Sequence, residues 1–269
     1  MEFAVNVNFF AKDIGMEKAA KYTAEAGFTY LDYTPPLQDD NWESIMHEHA
    51  EIFKANGLKV NQTHAPFNRY GRYGDKHITC MDRCMEATSF FGAKFVAVHG
   101  DEFDLANMEY SDEAAFEYNH NYFKPYVEYA AKNGFKMAFE TVFEDGFKCP
   151  RFTSNPDDLY KLIKSYNSDS AVCCWDFGHA NVSFRKTHAS EILRFGSLIR
   201  CTHAHDNAGN DSHQMMTTGD IDWAEVISAF KQIGFNDVFS IEYSHGIIPE
   251  VFVPEFISLT YRIAEHLWK

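Results

Sequence analysis

The stretch AVCCWDFGHAN, residues 171–181, runs apolar as far as Asp176 and then places His179 three positions on. A short apolar run that ends on a polar residue reads as a buried strand whose carboxyl end enters a site. The same construction recurs along the chain. His64 closes the run in NQTHAPF, His99 that in FVAVHGD, Glu140 that in MAFET, His203 with His205 and Asp206 that in CTHAHDN, and Glu242 that in SIEYSHG. Strands read at 3–9, 28–34, 58–64, 95–99, 136–141, 171–176, 199–205 and 238–243. Helical stretches read near 15–26, 40–56, 75–92, 112–133, 156–168, 188–197, 223–233 and 249–267. Gly27, Gly57, Gly92, Gly134, Gly196 and Gly234 fall where helix C-caps are expected, and Asn155-Pro156 supplies an N-cap followed by proline at the first helical position. Strict alternation of strand and helix predicts a closed parallel (β/α)8 TIM barrel, with residues 1–269 as a single domain. In such a barrel every strand delivers its last residues to the same mouth, which is where the polar groups of this chain stand.

Strand alternation gives an independent check. If Glu140 points into the barrel, Ala138 does too, while Met137 and Phe139 face the helices. By the same rule His99 places Ala97 inside, Glu242 places Ser240, Asp176 places Cys174, and His203 places Cys201. The layer beneath the mouth is therefore small, and the outward layer is large and apolar.

The chain of 269 residues fits one barrel of ordinary length, and its 16% aromatic content predicts a large packed interior. A formal net charge of −15 argues against a nucleic-acid partner, whose binding surfaces collect Lys and Arg. No apolar run approaches the roughly 20 residues that span a bilayer, and the N-terminal EFAVNVNFF reads as the first strand, not a secretory signal. Cys80, Cys84, Cys149, Cys173, Cys174 and Cys201 form no CxxC pair and fit buried thiols. The expectation is a reduced, cytoplasmic protein without a membrane partner.

Glu140, Asp176, His203 and Glu242 come from four successive strands. Three carboxylates and one imidazole form a hard, oxygen-rich set suited to a divalent metal ion of the Mn, Mg, Co, Fe or Zn group. Nothing in the sequence calls for a nucleotide cofactor.

THAPF, VAVHG, FET, WDFGHAN, HAHDN and the final IEY together resemble the xylose-isomerase-like barrel superfamily, which includes sugar isomerases, sugar epimerases and the endonuclease IV group. The resemblance covers the whole chain. It implies that Glu140, Asp176, His203 and Glu242 hold the main metal. It also implies that His179 contacts a substrate oxygen and that Glu140 and Glu242 act as the catalytic acid and base. A metal bridging a carbonyl and a neighbouring hydroxyl acidifies the C–H between them and stabilises an enediolate, so that one carboxylate can remove a proton and another return it. The expected function is therefore divalent-metal-dependent isomerisation or epimerisation of a sugar.

The resemblance also carries an alternative. His64, His99, His179, Asp211 and His213 match the additional ligands of the endonuclease IV type, where three zinc ions cleave a phosphodiester. His64 and His99 are equally readable as substrate contacts, and His205 and Asp206 as support for the metal ligands. The segment 65–76, APFNRYGRYGDK, reads as a lid over a sugar or anion, with Arg69 the candidate substrate contact. The loop 207–222 contains no Lys or Arg, which argues for an unphosphorylated sugar, since barrels often bind phosphate at their last loops. Self-association into a homo-oligomer is left open.

Overall fold

In the computed structural model, which describes residues 1–67, 73–146, 149–244, 246 and 248–269, the expected strands form one eight-stranded sheet. They are β1 (Phe3–Asn6), β2 (Tyr30–Tyr33), β3 (Lys59–His64), β4 (Phe95–His99), β5 (Lys136–Glu140), β6 (Ala171–Asp176), β7 (Ile199–His203) and β8 (Phe239–Ile241). Each pairs in parallel with its sequence neighbour from β1 to β7, and β8 pairs with β1. Parallel neighbours need a crossover connection, and the helices supply it. These are α1 (Asn8–Ile14), α2 (Met16–Glu25), α3 (Trp42–Ala55), α4 (His77–Phe91), α5 (Asp112–Asn133), α6 (Pro156–Ser165), α7 (Phe177–Phe184), α8 (His188–Phe195), α9 (Trp223–Gln232) and α10 (Val253–Trp268). The fold is a (β/α)8 TIM barrel. No helix among the described residues is long and apolar enough to cross a membrane.

Between β7 and β8 the ladder gives way to a short seam. It is held by one isolated bridge, with Ala204 N–H donating to Ser240 O at 2.9 Å and Glu242 N–H to Ala204 O at 3.1 Å. A side chain completes it, because Thr202 Oγ1 accepts from Ser240 N–H at 2.8 Å.

The expected alternation holds. Ala97, Ala138, Cys174 and Cys201 pack with Phe95 and Val172 inside the barrel, whereas Met137, Phe139, Val96, Val98, Phe239 and Ile241 join the large core under the helices. Asn155 caps α6 by accepting from Asp157 N–H at 2.9 Å, with Pro156 in the first turn.

The seventh and eighth strands end two residues earlier than read, at His203 and Ile241, and two larger differences stand out. The first strand, expected to reach residue 9, ends at Asn6, whose side-chain oxygen accepts from Asn8 N–H at 3.1 Å and turns the chain into α1. The helix α7 was also not expected. Asp176 caps it by accepting from His179 N–H at 2.7 Å, and residues Phe177 to Asn181 are all buried. Five successive positions buried on every side show no amphipathic period, so their pattern is silent.

Candidate functional site

The ladders set the height of each side chain at the mouth. His99 is level with Glu140, and Asp176 is level with His203. Above them opens a cavity of about 640 Å³. Its polar lining includes His64, His99, Glu140, His179, Asp211, His213 and Glu242, and Phe9, Phe67, Tyr73 and Phe143 supply aromatic walls. Lys12 and Arg151 also face it. An amphipathic ring-sized ligand matches that combination of polar floor and aromatic wall.

One ligand-capable atom from each of Glu140, Asp176, His203 and Glu242 lies within 4.8 Å of the others. His64, Glu140 and His203 form a second such group, and His179, His205, Asp211 and His213 a third. Glu140 Oε2 stands 3.3 Å from both His64 Nε2 and His203 Nδ1, yet it is buried and accepts no well-aligned hydrogen bond. Asp211 Oδ1 is buried in the same condition. Carboxylate oxygens buried without donors are costly unless a cation meets them. The donor set and these orphaned oxygens fit a divalent cation.

The imidazoles are oriented from behind. His203 Nε2 lies 3.1 Å from Asp32 Oδ2, a carboxylate that also accepts from Gln62 Nε2 at 3.1 Å. His64 Nδ1 donates to Ala65 O at 2.8 Å, His179 Nδ1 to Thr141 O at 2.9 Å and His213 Nδ1 to Glu242 O at 3.1 Å. His205 Nε2 rests against Asp176 at 3.0 Å, and its ring lies over Gly178, where a Cβ would overlap it. His213 adopts φ 44°, a left-handed backbone that brings its ring to Asp211 and into stacking with His205 at 4.1 Å.

Electrostatics follow from this packing. Burial pushes the Glu140 carboxyl up, but the facing imidazoles, His203 first, outweigh it and hold it well below the usual range. Burial would lower His203 and His179, yet Glu242 and Glu140 raise the first, and Asp176 with Asp211 the second, well above an ordinary histidine. His213 is raised to about 9 in spite of burial, by Asp211 and Glu242. His99 goes the other way, to about 3, because burial is reinforced by the Arg151 charge and exceeds the pull of Glu140. The cluster therefore balances its carboxylates with protons on His179, His203 and His213.

Of the expected site residues among those described, all but Asp206 are brought to this mouth. Arg69 lies outside the described residues. Asp206 is drawn into the loop instead, accepting from Asn207 N–H, Ile221 N–H and Trp223 Nε1, and so it folds 207–222 over the barrel. Three polar residues went unnoticed in the sequence. Asp32 backs His203, Asn6 Nδ2 donates to Glu242 Oε1 at 3.2 Å, and Arg151 contacts His99. The signal for the first two was available, since each is a lone polar residue in an apolar strand.

A family model described as the xylose isomerase-like TIM barrel matches residues 20–255. The chain is 26% identical over 257 residues to an uncharacterized protein of Methanocaldococcus jannaschii, covering 90% of this chain and 83% of that one. Among solved structures it is similar to a D-tagatose 3-epimerase-like protein, with 24% identity, a TM-score of 0.75 and 99% of each chain covered. It is also similar to the D-psicose 3-epimerase of Clostridium cellulolyticum H10 determined with D-tagatose, with 13% identity, a TM-score of 0.76 and 100% of each chain covered.

Proposed function

The chain belongs to the xylose isomerase-like TIM barrel family, and we propose that it is a divalent-metal-dependent isomerase or epimerase of an unphosphorylated sugar or sugar derivative. The observation that carries this reading is the placement of Glu140 and Glu242 on one cavity, within a cluster that fits a cation. Glu140, Asp176, His203 and Glu242 would hold that cation. When bound, it supplies Lewis acidity that weakens the C–H bond between a carbonyl and a hydroxyl. One of the two glutamates takes the proton from that carbon, and the other returns a proton to it or to its neighbour. Asn6 holds the Glu242 carboxylate by its Oε1, leaving Oε2 for the reaction. His179 contacts a substrate oxygen, and the aromatic walls pack against the carbon face of the sugar. The absence of Lys and Arg from 207–222 supports a substrate without phosphate. The names of the similar structures, both sugar 3-epimerases or like them, support the same class. We place the reaction in the cytoplasm.

Incubation with ketoses such as D-tagatose and D-psicose in heavy water tests the reading. Product carrying deuterium on the carbon next to the carbonyl is expected. Product formed without deuterium would replace the two-glutamate mechanism by a hydride shift.

A second reading is favoured by one observation, the further ligand-capable group of His179, His205, Asp211 and His213. It makes the chain a multinuclear phosphodiesterase of the endonuclease IV kind. The net charge of −15 weighs against DNA as its substrate. Chelator-sensitive cleavage of an abasic duplex would establish it.

A further inference from the structure

His99, like His64 and His179, is a metal ligand in one reading and a substrate contact in the other. Its neighbour decides. Arg151 is buried, and its Nη2 lies 3.1 Å from His99 Nδ1 in hydrogen-bond geometry. A guanidinium has N–H groups and no lone pair to offer, so this bond has one polarity: Arg151 donates and Nδ1 accepts. A neutral imidazole that accepts at Nδ1 carries its proton on Nε2. That second nitrogen faces the centre, 3.6 Å from Glu140 Oε2.

His64, His179 and His213 are wired in the opposite sense. Each places Nδ1 on a backbone carbonyl, so a proton is held there and Nε2 is the nitrogen turned to the centre, able to offer a lone pair to a metal that displaces its proton. Arg151 itself has little freedom to yield. Its Nε donates to Asp101 Oδ2 at 2.5 Å, its backbone N–H to Glu144 Oε2 at 3.0 Å, and its guanidinium lies over the Phe143 ring at 5.3 Å. Phe67 stacks on His99 at 4.5 Å and 15°, which fixes the plane of the ring. Turning the ring over in that plane would set a C–H against the guanidinium and lose the bond.

We propose that Arg151 is a positioning residue that fixes His99 with its proton on Nε2, making it a hydrogen-bond donor to a substrate hydroxyl or carbonyl oxygen and withholding it from metal. The chain then cannot complete a His64–His99–Glu140 metal position. A substrate oxygen in the cavity meets an N–H from one side and the Glu140 centre from the other. Only the identity of that oxygen rests on the sugar reading; the tautomer stands on the protein alone.

Two-bond proton–nitrogen NMR of protein labelled with 15N-histidine tests this, with His99→Gln assigning the signal. The expected spectrum of the wild-type protein at neutral pH shows an unprotonated Nδ1 and a protonated Nε2 for His99. Addition of several equivalents of zinc should leave both in place while the His203 signals shift. A His99 with its proton on Nδ1, or one whose Nε2 signal moves as zinc binds, overturns the proposal. Arg151→Met should turn the single His99 tautomer into a mixture, and Arg151→Lys, which keeps a donor, should restore it. A single Nε2–H tautomer in Arg151→Met would remove Arg151 from the account. None of these readouts needs turnover, so their failure leaves the sugar reading intact, and failure of the heavy-water experiment leaves this inference intact.

Discussion

Asp32 Oδ2 stands 3.1 Å from His203 Nε2, on the side of the imidazole away from Glu140, whose Oε2 is 3.3 Å from Nδ1. A carboxylate behind a ligand histidine fixes its tautomer and makes the forward nitrogen more basic. Asp32→Asn keeps the shape and can still accept from Gln62, but it removes the charge. Metal affinity should fall about 10- to 100-fold, measured by titration against a competing chelator, with little change in melting temperature of the metal-free protein. Unchanged affinity would take Asp32 out of the metal centre.

Glu140→Gln and Glu242→Gln each keep a side-chain oxygen and remove the basic carboxylate. Each should lower turnover by about two to four powers of ten, the usual scale of general acid–base catalysis. Substrate binding, read by calorimetry, should change far less. A variant with near-normal turnover would exclude that glutamate as acid or base.

Asp176 has two duties, and two substitutions separate them. Its carboxylate belongs to a group that could hold a cation and also caps α7 through His179 N–H. Asp176→Ala should lose bound metal and also about 1 kcal/mol of stability from the missing cap. Asp176→Asn retains the cap, so it should keep the melting temperature of the metal-free wild type while metal content still falls. Full metal occupancy in either variant, by elemental analysis, would rule Asp176 out as a ligand.

Metal uptake should be linked to protons. His203 and His179 have raised values in the metal-free protein and carry protons at neutral pH, but a metal needs their lone pairs. Binding at pH 7 should therefore release protons, and affinity should weaken as pH falls. Calorimetry in buffers of different ionisation enthalpy counts the release; none would contradict His203 as a ligand. The sign for folding is opposite. His213, at about 9, stabilises the metal-free protein fully below the unfolded value near 6.5, and that contribution is lost as pH rises through 9.

Gly178 is required by contact, not by backbone. It lies within α7, where alanine would gain up to about 1 kcal/mol in helix propensity. A Cβ there overlaps the buried His205 ring, which has no room to retreat. Gly178→Ala should lower the melting temperature and weaken metal binding together. A stabilised variant with normal metal affinity would show that His205 is placed elsewhere.

The sequence was readable where geometry is repeated. Apolar runs gave the strands, and barrel topology then obliges Glu140, Asp176, His203 and Glu242 to converge, whatever lies between them. Asp32 and Asn6 were readable in principle, because a lone acid or amide in YLDY or FAVN must point into the barrel or face the helices unpaired. Arg151 was not. It reaches His99 from a loop, and no spacing in the sequence ties residues 52 positions apart. The helix α7 was hidden for a different reason, since five successive buried positions carry no period to find.

The seam between β7 and β8 gives the candidate cation a mechanical part to play. Around the rest of the wall, strand is stitched to strand by a ladder of three or more residue pairs, but here a single bridge and the Thr202 hydroxyl hold the edges. His203 ends one edge and Glu242 follows the other. A cation shared by those two side chains would rivet the barrel where its circumference is most lightly sewn. Emptying the centre would then loosen this one join before any other, and amide hydrogens of Ala204 and Glu242 would exchange first.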